Sequence, residues 1–518
     1  MKFEITIYRD PWLDNGLDNL SRILQMLKEE MELFGENHFQ FEIYKDKLSF
    51  EIYDFEKFTD DLARQLIYMR NNYLLVEEKE DTGEKKEIKK DFIVLQENKK
   101  IGGKINFKDR LFNPEETKRT IKEILKLSYK DGKNRCVLCG RSFDKSFKNL
   151  QMAAYPLVTK IKSLSGVRTY KDGVSYAFKD YYTSLCPLCY LVGVCEWTDG
   201  GIIYRTFVGD KSYLFLPQKS NLVELKSFKD RYIKLLNESS RWSNIKVNIK
   251  RDETENTPGK FSTLLCFYEK MVVDASLDPT TAPHWSLIEV PYGTVKNIKH
   301  LEIGVKESIL MLIKEFKEHE NESLGIYSDI IKQIYFFLDK PTRSGFDNNK
   351  TQEIREKLSE AIINDNFRDF ARNFLPEKRG KIGFSNEVRK SLEDLIYLWR
   401  WRKMGIPKEK LSTIKSVGNI VAKVSKNNLS LLYKLDKSRN LAEFWTVLRE
   451  ISRKLLSLED KDRKMIKPTS LEELINLVKE YEELWKEIRD LLVVYSCMFY
   501  SIGSEKDKDL KTQRGEER

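Results

Sequence analysis

The sequence predicts an α+β protein, with an N-terminal mixed α/β region that contains an insertion, followed by a C-terminal helical bundle. Three patterns predict this class. The first 75 residues alternate β-rich and helical segments, a cysteine-containing segment interrupts the region at 130–195, and from about Val305 almost every window has apolar residues at helical spacing. With 518 residues and 41% hydrophobic content, the chain can bury a substantial core in roughly two to four domains.

The N-terminal region begins with a strand, a break and a helix. Residues 3–9 are β-rich, Asp10-Pro11 interrupts them, and 17–34 has apolar residues at helical spacing. The segment 38–54 has two β-rich runs around a polar turn, which predicts a hairpin, and 55–75 again predicts a helix. The strongly charged segment 77–90 is expected to be a mobile hairpin tip or a surface loop.

The most specific chemical signal is a pair of Cys-x-x-Cys motifs, formed by Cys136, Cys139, Cys186 and Cys189. Zinc prefers four soft ligands in a tetrahedron, and each motif supplies two thiolates from one turn. Gly140 permits the backbone angles of such a turn, and the long spacer between the motifs predicts that they close an inserted zinc ribbon. A redox pair or buried free cysteines are the alternatives, but neither explains a matched second motif. Cys195 is interpreted as a core residue.

The rest of the chain returns to sheet and then becomes helical. Gly200-Gly201 and the runs IIYRTFV and SYLFLP predict strands, whereas prolines interrupt the C-terminal helical pattern as between the helices of a bundle. The polar sequence after Gly503 is predicted to be disordered. The predicted domains are an N-terminal α+β region at 1–129, a zinc-ribbon insertion at 130–195, the remainder of the α+β domain at 196–304, a helical bundle at 305–502 and a disordered tail at 503–518.

Composition excludes several classes of protein. The longest apolar run, Leu491–Ile502, is well short of the roughly 20 residues that a membrane-spanning helix needs, so no membrane association is expected. The N-terminus lacks the features of a secretory signal, which predicts a cytoplasmic protein. Seven cysteines are too few for a disulfide scaffold of this size.

Positive charge is concentrated on the cysteine-containing insertion. Residues 130–172 contain ten basic and three acidic residues, a net +7 of the chain's +10. This asymmetry favours contact with nucleic-acid phosphates over a plain solvated surface. The residues predicted to make these contacts are Lys160, Lys162, Arg168 and Lys171. The aromatic residues of the insertion, Phe143, Phe147, Tyr155 and Tyr170, could stack on bases, but most are interpreted as core.

Two basic segments in the helical region could also contact a nucleic-acid backbone. One is a short loop that contains Lys378, Arg379 and Lys381. The other, 397–403, contains two tryptophans and several basic residues. It is better explained as an amphipathic helix whose Trp399 and Trp401 pack inward.

Enzyme signatures are weak. The sequence has no phosphate-binding loop of the GxxxxGK[ST] type, no GxSxG motif, no HExxH motif and no His-Asp pair. The best candidate is Asp210 with Glu224 and Lys226, whose order resembles the acidic-acidic-lysine arrangement of magnesium-dependent nucleases. Because a Glu-x-Lys pair is common on an exposed face of a strand or helix, the nuclease interpretation is not favoured.

The paired cysteine motifs resemble those of the CRISPR-associated CXXC-CXXC family, the large subunit of type I-A and I-B Cascade surveillance complexes. The segment 10–17, Asp-Pro-Trp-Leu-Asp-Asn-Gly-Leu, is similar to the start of that family. Tyr155-Pro156-Leu157 has a similar place between the motifs, and Val417–Ala422 is similar as well. The resemblance spans most of the chain, and the cysteine motif is its specific part.

The resemblance implies a non-catalytic subunit with structural zinc. Such a protein would bind guide RNA and target double-stranded DNA, help recognise the motif that flanks the target (the PAM), stabilise the R-loop and help recruit the helicase-nuclease in antiviral defence. Its other partners would be the backbone, guide-handle-binding and small subunits of Cascade. A magnesium-dependent nuclease and a zinc-ribbon protein acting on RNA or in transcription are the competing hypotheses.

Overall fold

The computed structural model describes residues 1–73, 114–147, 155, 168–171, 174–177, 184–196, 199, 203–206, 211–238, 259–274, 284–291, 299–318, 325–338, 345–426, 428–456 and 469–502. The expected loop at 77–90 and the expected tail at 503–518 lie outside these residues. The protein is mixed α/β and mostly helical, with small sheets and a C-terminal helical region. It divides into two compact units, the first made of 1–254 and 281–304, and the second of 255–280 and 305–518.

The first unit begins with β1 (Lys2–Thr6), α1 (Pro11–Leu33), β2 (Phe39–Ile43), β3 (Lys47–Ile52) and α2 (Phe55–Tyr73). The three strands form an antiparallel sheet in the order β1-β3-β2. Phe3 is opposite Phe50 and Ile5 is opposite Leu48, and all four side chains are buried, whereas Glu4 between them is exposed. This alternation gives the sheet one apolar face. The predicted strand, helix, hairpin and helix are confirmed.

The cysteine-containing part of the first unit consists of short elements. They are α3 (Pro114–Ser128), a hairpin of β4 (Asn134–Arg135) and β5 (Ser142–Phe143), a hairpin of β6 (Arg168–Lys171) and β7 (Val174–Ala177), and α4 (Pro187–Cys195). An antiparallel sheet in the order β11-β10-β9-β8 follows, made of β8 (Ile203–Thr206), β9 (Lys211–Gln218), β10 (His284–Pro291) and β11 (Lys299–Gly304). Helix α5 (Leu222–Glu238) comes after β9. The predicted return to sheet is confirmed.

The second unit is mainly helical. Its helices are α6 (Lys260–Asp274), α7 (Glu307–Glu318), α8 (Asn348–Ile363), α9 (Phe367–Asn373), α10 (Asn386–Trp399), α11 (Leu411–Val424), α12 (Ser430–Lys437), α13 (Leu441–Leu456), α14 (Thr469–Glu480) and α15 (Trp485–Ile502). Trp399 and Trp401 are fully buried, and Arg402 beside them is exposed and pairs with Glu315. The interpretation of 397–403 as a segment with inward tryptophans is therefore confirmed.

The prediction of helix alone in this region needs a correction. Strands β12 (Tyr335–Leu338) and β13 (Gly380–Gly383) form an antiparallel ribbon within the second unit. A Cβ atom on Gly380 would lie 2.1 Å from the Phe337 carbonyl oxygen, so the close approach of the two strands requires glycine there. Lys381 consequently lies in a strand and not in a loop.

Candidate metal centre

The four predicted ligands converge on one point. The Sγ atoms of Cys136, Cys139, Cys186 and Cys189 all lie within 4.8 Å of one another. The distances are 3.8 Å for Cys136 to Cys189, 3.6 Å for Cys139 to Cys186 and 3.3 Å for Cys186 to Cys189. The two motifs therefore form a single four-cysteine cluster, although 46 residues separate them in the sequence.

The first motif lies in the tight turn between β4 and β5. The Cys136 N–H donates to the Arg141 carbonyl, and the Gly140 N–H donates to the Cys136 carbonyl, both at 2.8 Å. Gly140 has a φ of 75°, a left-handed conformation that favours glycine. Because the turn folds back on itself, the thiols of Cys136 and Cys139 face the same side.

The second motif lies at the start of α4. Cys186 is the N-cap residue, Pro187 occupies the first helical turn without needing an N–H partner, and Cys189 follows in the same turn. The start of a helix has partial positive charge, which favours thiolates. The Cys186 N–H also donates to the Cys136 Sγ at 3.4 Å, so a backbone donor joins the two motifs directly.

The sulfur geometry fits a tetrahedral ion better than disulfides. All four cysteines are free thiols, and a disulfide would need sulfurs about 2.0 Å apart. A zinc ion with Zn–S bonds of about 2.3 Å would place its four sulfurs roughly 3.8 Å apart, close to the distances observed here. The donor set therefore fits a soft, four-coordinate metal ion.

The electrostatics of the cluster also favour a cation. Cys136, Cys186 and Cys189 are buried, and burial raises the pKa of the Cys189 thiol well above its usual value. Hydrogen bonding with Cys136 raises the pKa of Cys186 in the same way. Several thiolates cannot coexist in such a buried space without positive charge to balance them. A bound metal ion would supply that charge.

Helix α1 supports the helix that carries the second motif. A Cβ atom on Gly16 would lie 2.3 Å from the Val192 carbonyl oxygen, so α1 and α4 touch through their backbones. The Trp12 indole donates to the Gly193 carbonyl at 2.9 Å, and the Asn19 amide donates to the Cys195 carbonyl at 2.6 Å. The segment 10–19 thus holds α4 in place by contacts that the sequence pattern alone did not indicate.

A buried ionic network continues from this contact. Lys229 on α5 is fully buried, pairs with Asp199 and lies 3.2 Å from the Asp18 carboxylate. Burial alone would lower the pKa of Lys229, but Asp199, Asp18 and Glu196 together raise it above its usual value. The network links α1, α5 and the segment after α4.

Cys195 is buried at the end of α4, which confirms its interpretation as a core residue.

The predicted nucleic-acid contacts are spread over several places. Lys160 and Lys162 lie outside the described residues, and Arg168 and Lys171 lie at the two ends of β6. Lys378 and Arg379 are exposed at the turn before β13. Lys381 donates to the Tyr500 carbonyl at 3.2 Å and lies over the Tyr500 ring, so it packs on α15.

Two aromatic residues of the insertion are core residues, as interpreted from the sequence. Phe143 is buried in the core of the first unit. Tyr155 is also buried, and its hydroxyl donates to the Asp10 carboxylate at 2.6 Å. Asp10 in turn caps α1 by accepting from the Trp12 and Leu13 amides. Tyr155 therefore ties the segment between the motifs to the start of α1.

One residue of the nuclease hypothesis, Glu224, has another partner in the described part of the chain. Glu224 lies in the first turn of α5 and accepts from the Asn221 side chain at 2.6 Å, while its N–H donates to the Asn221 side chain. This reciprocal pairing is typical of a helix N-cap. Lys226 follows in the same helix, and Asp210 lies outside the described residues.

No protein-family model matches the chain, and a search of the curated proteins found no significant match. The class of protein is therefore defined by fold and site alone, as a mixed α/β protein with a four-cysteine cluster that fits a metal ion. In the described part of the chain, no helix is both long and apolar enough to span a bilayer.

Proposed function

We propose that this protein is a non-catalytic large subunit of a type I CRISPR Cascade surveillance complex, and that its cysteine cluster binds structural zinc. The observation that carries the proposal is the convergence of two distant Cys-x-x-Cys motifs on one metal-sized site. This is the motif by which the sequence resembles the CXXC-CXXC family. Helix α1, which contains the second similar segment, packs directly on the helix of the second motif.

The proposed zinc ion has a structural role. Four thiolates would fill its coordination shell, whereas a catalytic zinc site keeps one position for water or substrate. Three of the four cysteines are buried, and the cluster belongs to the core of the first unit. The zinc would therefore brace the cysteine-containing insertion, whose residues 130–172 have a net charge of +7.

The second unit has a further concentration of positive charge. Residues 411–456, which include α11, α12 and α13, contain nine basic and three acidic residues. The three acidic residues are already engaged: Asp436 pairs with Arg368, Glu443 accepts from the Arg439 N–H, and Glu450 pairs with Lys434. These partners leave an excess of basic side chains on this part of the unit.

Six basic side chains within residues 411–456 make up what we call the basic face. They are wholly or partly exposed, and none makes an ion pair with another residue in the described part of the chain: Lys423, Lys426, Lys437, Arg439, Arg449 and Arg453. The ion pair of Lys434 with Glu450 joins α12 to α13 at 2.8 Å and so brings two of these helices together. Such a surface suits the phosphates of guide RNA or target DNA.

The test of the proposed complex is purification of the native protein from its source cells, followed by mass spectrometry of the intact assembly. The proposal expects guide RNA, backbone subunits and the guide-handle-binding subunit to co-purify. The complex should bind double-stranded DNA that carries one particular flanking motif. An RNA-free protein that never joins these subunits would overturn the proposal. Magnesium-dependent cleavage of DNA by the purified chain would favour the nuclease hypothesis instead.

The basic face is tested by a matched pair of triple variants. Lys423→Gln, Lys426→Gln and Lys437→Gln together should weaken binding of a DNA duplex and reduce the salt dependence of its Kd. The control replaces Lys390, Lys403 and Lys479, three exposed lysines elsewhere on the unit, and so removes the same charge. Equal weakening in both variants would show that only net charge matters.

A further inference from the structure

Tyr8 is the residue outside the two motifs whose side chain reaches a sulfur of the four-cysteine cluster in the described part of the chain. Its hydroxyl oxygen lies 3.3 Å from the Cys189 Sγ. The two residues are 181 positions apart, so the contact depends on the folded unit and not on local sequence. Tyr8 follows β1 directly and precedes α1.

Two hydrogen bonds to the Asp14 carboxylate fix the backbone on either side of Arg9, next to Tyr8. The Tyr8 N–H donates to one carboxylate oxygen of Asp14 at 2.6 Å, and the Asp10 N–H donates to the other at 3.1 Å. Arg9 between them has a φ of 58°, a conformation uncommon for residues other than glycine. This sharp reversal is held in place by Asp14 and directs the Tyr8 side chain to the cluster.

The chemistry of the contact depends on the state of Cys189. A metal-bound thiolate keeps lone pairs that accept hydrogen bonds, and a tyrosine hydroxyl is a good donor. Hydrogen bonds to ligands orient them and reduce their excess negative charge. The Cys186 N–H already donates such a hydrogen bond to the Cys136 sulfur, at 3.4 Å. The Cys189 thiol donates to the Tyr8 hydroxyl, and as a metal-bound thiolate Cys189 would instead accept from that hydroxyl.

We propose that Tyr8 is a positioning residue of the metal centre, which donates a hydrogen bond to the Cys189 thiolate and thereby retains the metal. The inference rests on the proposed metal site. A purely packing role would predict that phenylalanine, which keeps the ring and loses the hydroxyl, serves equally well. The hydroxyl is therefore the feature to test.

The experiment uses the intact chain loaded with zinc or with cobalt(II). Zinc affinity is measured by competition with a chromogenic chelator, and the thiolate-to-cobalt charge-transfer band is recorded. Tyr8→Phe should weaken zinc binding by roughly 10-fold or more, a typical effect of losing a ligand's hydrogen-bond partner, and should move the band to lower energy. Tyr53→Phe is the matched control, because Tyr53 is 51% exposed. It should change neither quantity.

The possible outcomes separate the two proposals. If the intact protein binds neither metal, the proposed metal site fails. If it binds both but Tyr8→Phe and Tyr53→Phe behave alike, the site stands and the role of Tyr8 is overturned. Should Tyr8→Phe fold poorly, 3-fluorotyrosine at position 8 keeps the shape and strengthens the donor. It should move the band the opposite way, and an unchanged band would also overturn the role of Tyr8.

Discussion

Glu269 is a buried carboxylate that closes a helical turn in the second unit. It lies on α6 and accepts from the Tyr327 N–H at the start of the turn Ile326–Ile330. Burial raises its pKa to about 7, although the backbone donor partly opposes this. The protonated form is therefore favoured by folding below neutral pH.

The pH dependence of stability follows from this shift. Because the folded pKa lies above the ordinary value of 4.5, the contribution of Glu269 is fully present at acid pH and is lost as pH rises through about 7. Glu269→Gln keeps a side-chain acceptor and removes the titration. Between pH 5 and pH 8, the free energy of unfolding of the second unit should fall by roughly 3 kcal/mol more in the wild type than in Glu269→Gln.

The measurement is denaturant unfolding at several pH values. Glu353→Gln is a suitable control, since Glu353 is half exposed and its hydrogen bond with Lys357 lowers its pKa. Because a pKa below 4.5 titrates outside this range, Glu353→Gln should leave the pH dependence between pH 5 and pH 8 as in the wild type. Identical pH profiles for the wild type and Glu269→Gln would contradict the assignment of the titrating group.

At the scale of single residues, functional side chains could be predicted from the sequence where residues close together in the chain form the motif. The cysteines could be identified because a Cys-x-x-Cys spacing already defines half of a metal site. Tyr8 could not, since its partner Cys189 is distant in sequence and an isolated tyrosine after a strand has many ordinary explanations. Glu269 was missed for the same reason.

Among the secondary-structure elements, the contact of α1 with α4 determines where the second motif lies. Gly16 allows the closest approach, and any side chain there would meet the Val192 carbonyl. Alanine is intrinsically a better helix former than glycine by roughly 1 kcal/mol, so a loss of stability in Gly16→Ala would report the tertiary contact. We expect a net loss of roughly 1–3 kcal/mol and faster extraction of metal by a chelator.

The control for this prediction lies on the same helix. Glu29 is exposed, and Glu29→Ala should leave both the unfolding transition and metal extraction close to the wild type. Thermal unfolding and chelator kinetics measure the two quantities. A Gly16→Ala protein that is as stable as the wild type and retains metal equally well would show that α1 can move away from α4 without cost.

The elements that were predicted correctly have strong periodicity. The hairpin at 38–54 and the helices after Val305 have patterns long enough to distinguish strand from helix. The ribbon of β12 and β13 was missed because each strand has only four residues. An apolar run as short as Tyr335–Leu338 is equally consistent with a buried helical turn.

On the scale of the whole molecule, the two units differ in their dependence on the metal. The cysteine cluster belongs to the core of the first unit, whereas the second unit has its own core, in which Trp399 and Trp401 are fully buried.

Residues 255–280 belong to the second unit. The domain boundary predicted from the sequence, between 304 and 305, places them in the first unit. Glu356 on α8 explains the assignment, because it accepts from the Phe261 and Ser262 amides at the start of α6. Such long-range capping has no local sequence pattern.

Removal of the metal should therefore loosen the first unit selectively. Metal binding to the folded state stabilises it by RT ln(1 + [metal]/Kd), and the unfolded chain lacks a preformed site. After treatment of the intact protein with a chelator, amide hydrogen exchange should become faster in the β4–β5 turn, α4 and α1. Exchange in α11, α13 and α15 should stay unchanged. A variant with Cys136→Ser and Cys139→Ser should show the faster exchange without chelator and no further response to it. Equal acceleration in both units, or none in the first, would contradict a structural metal confined to the first unit.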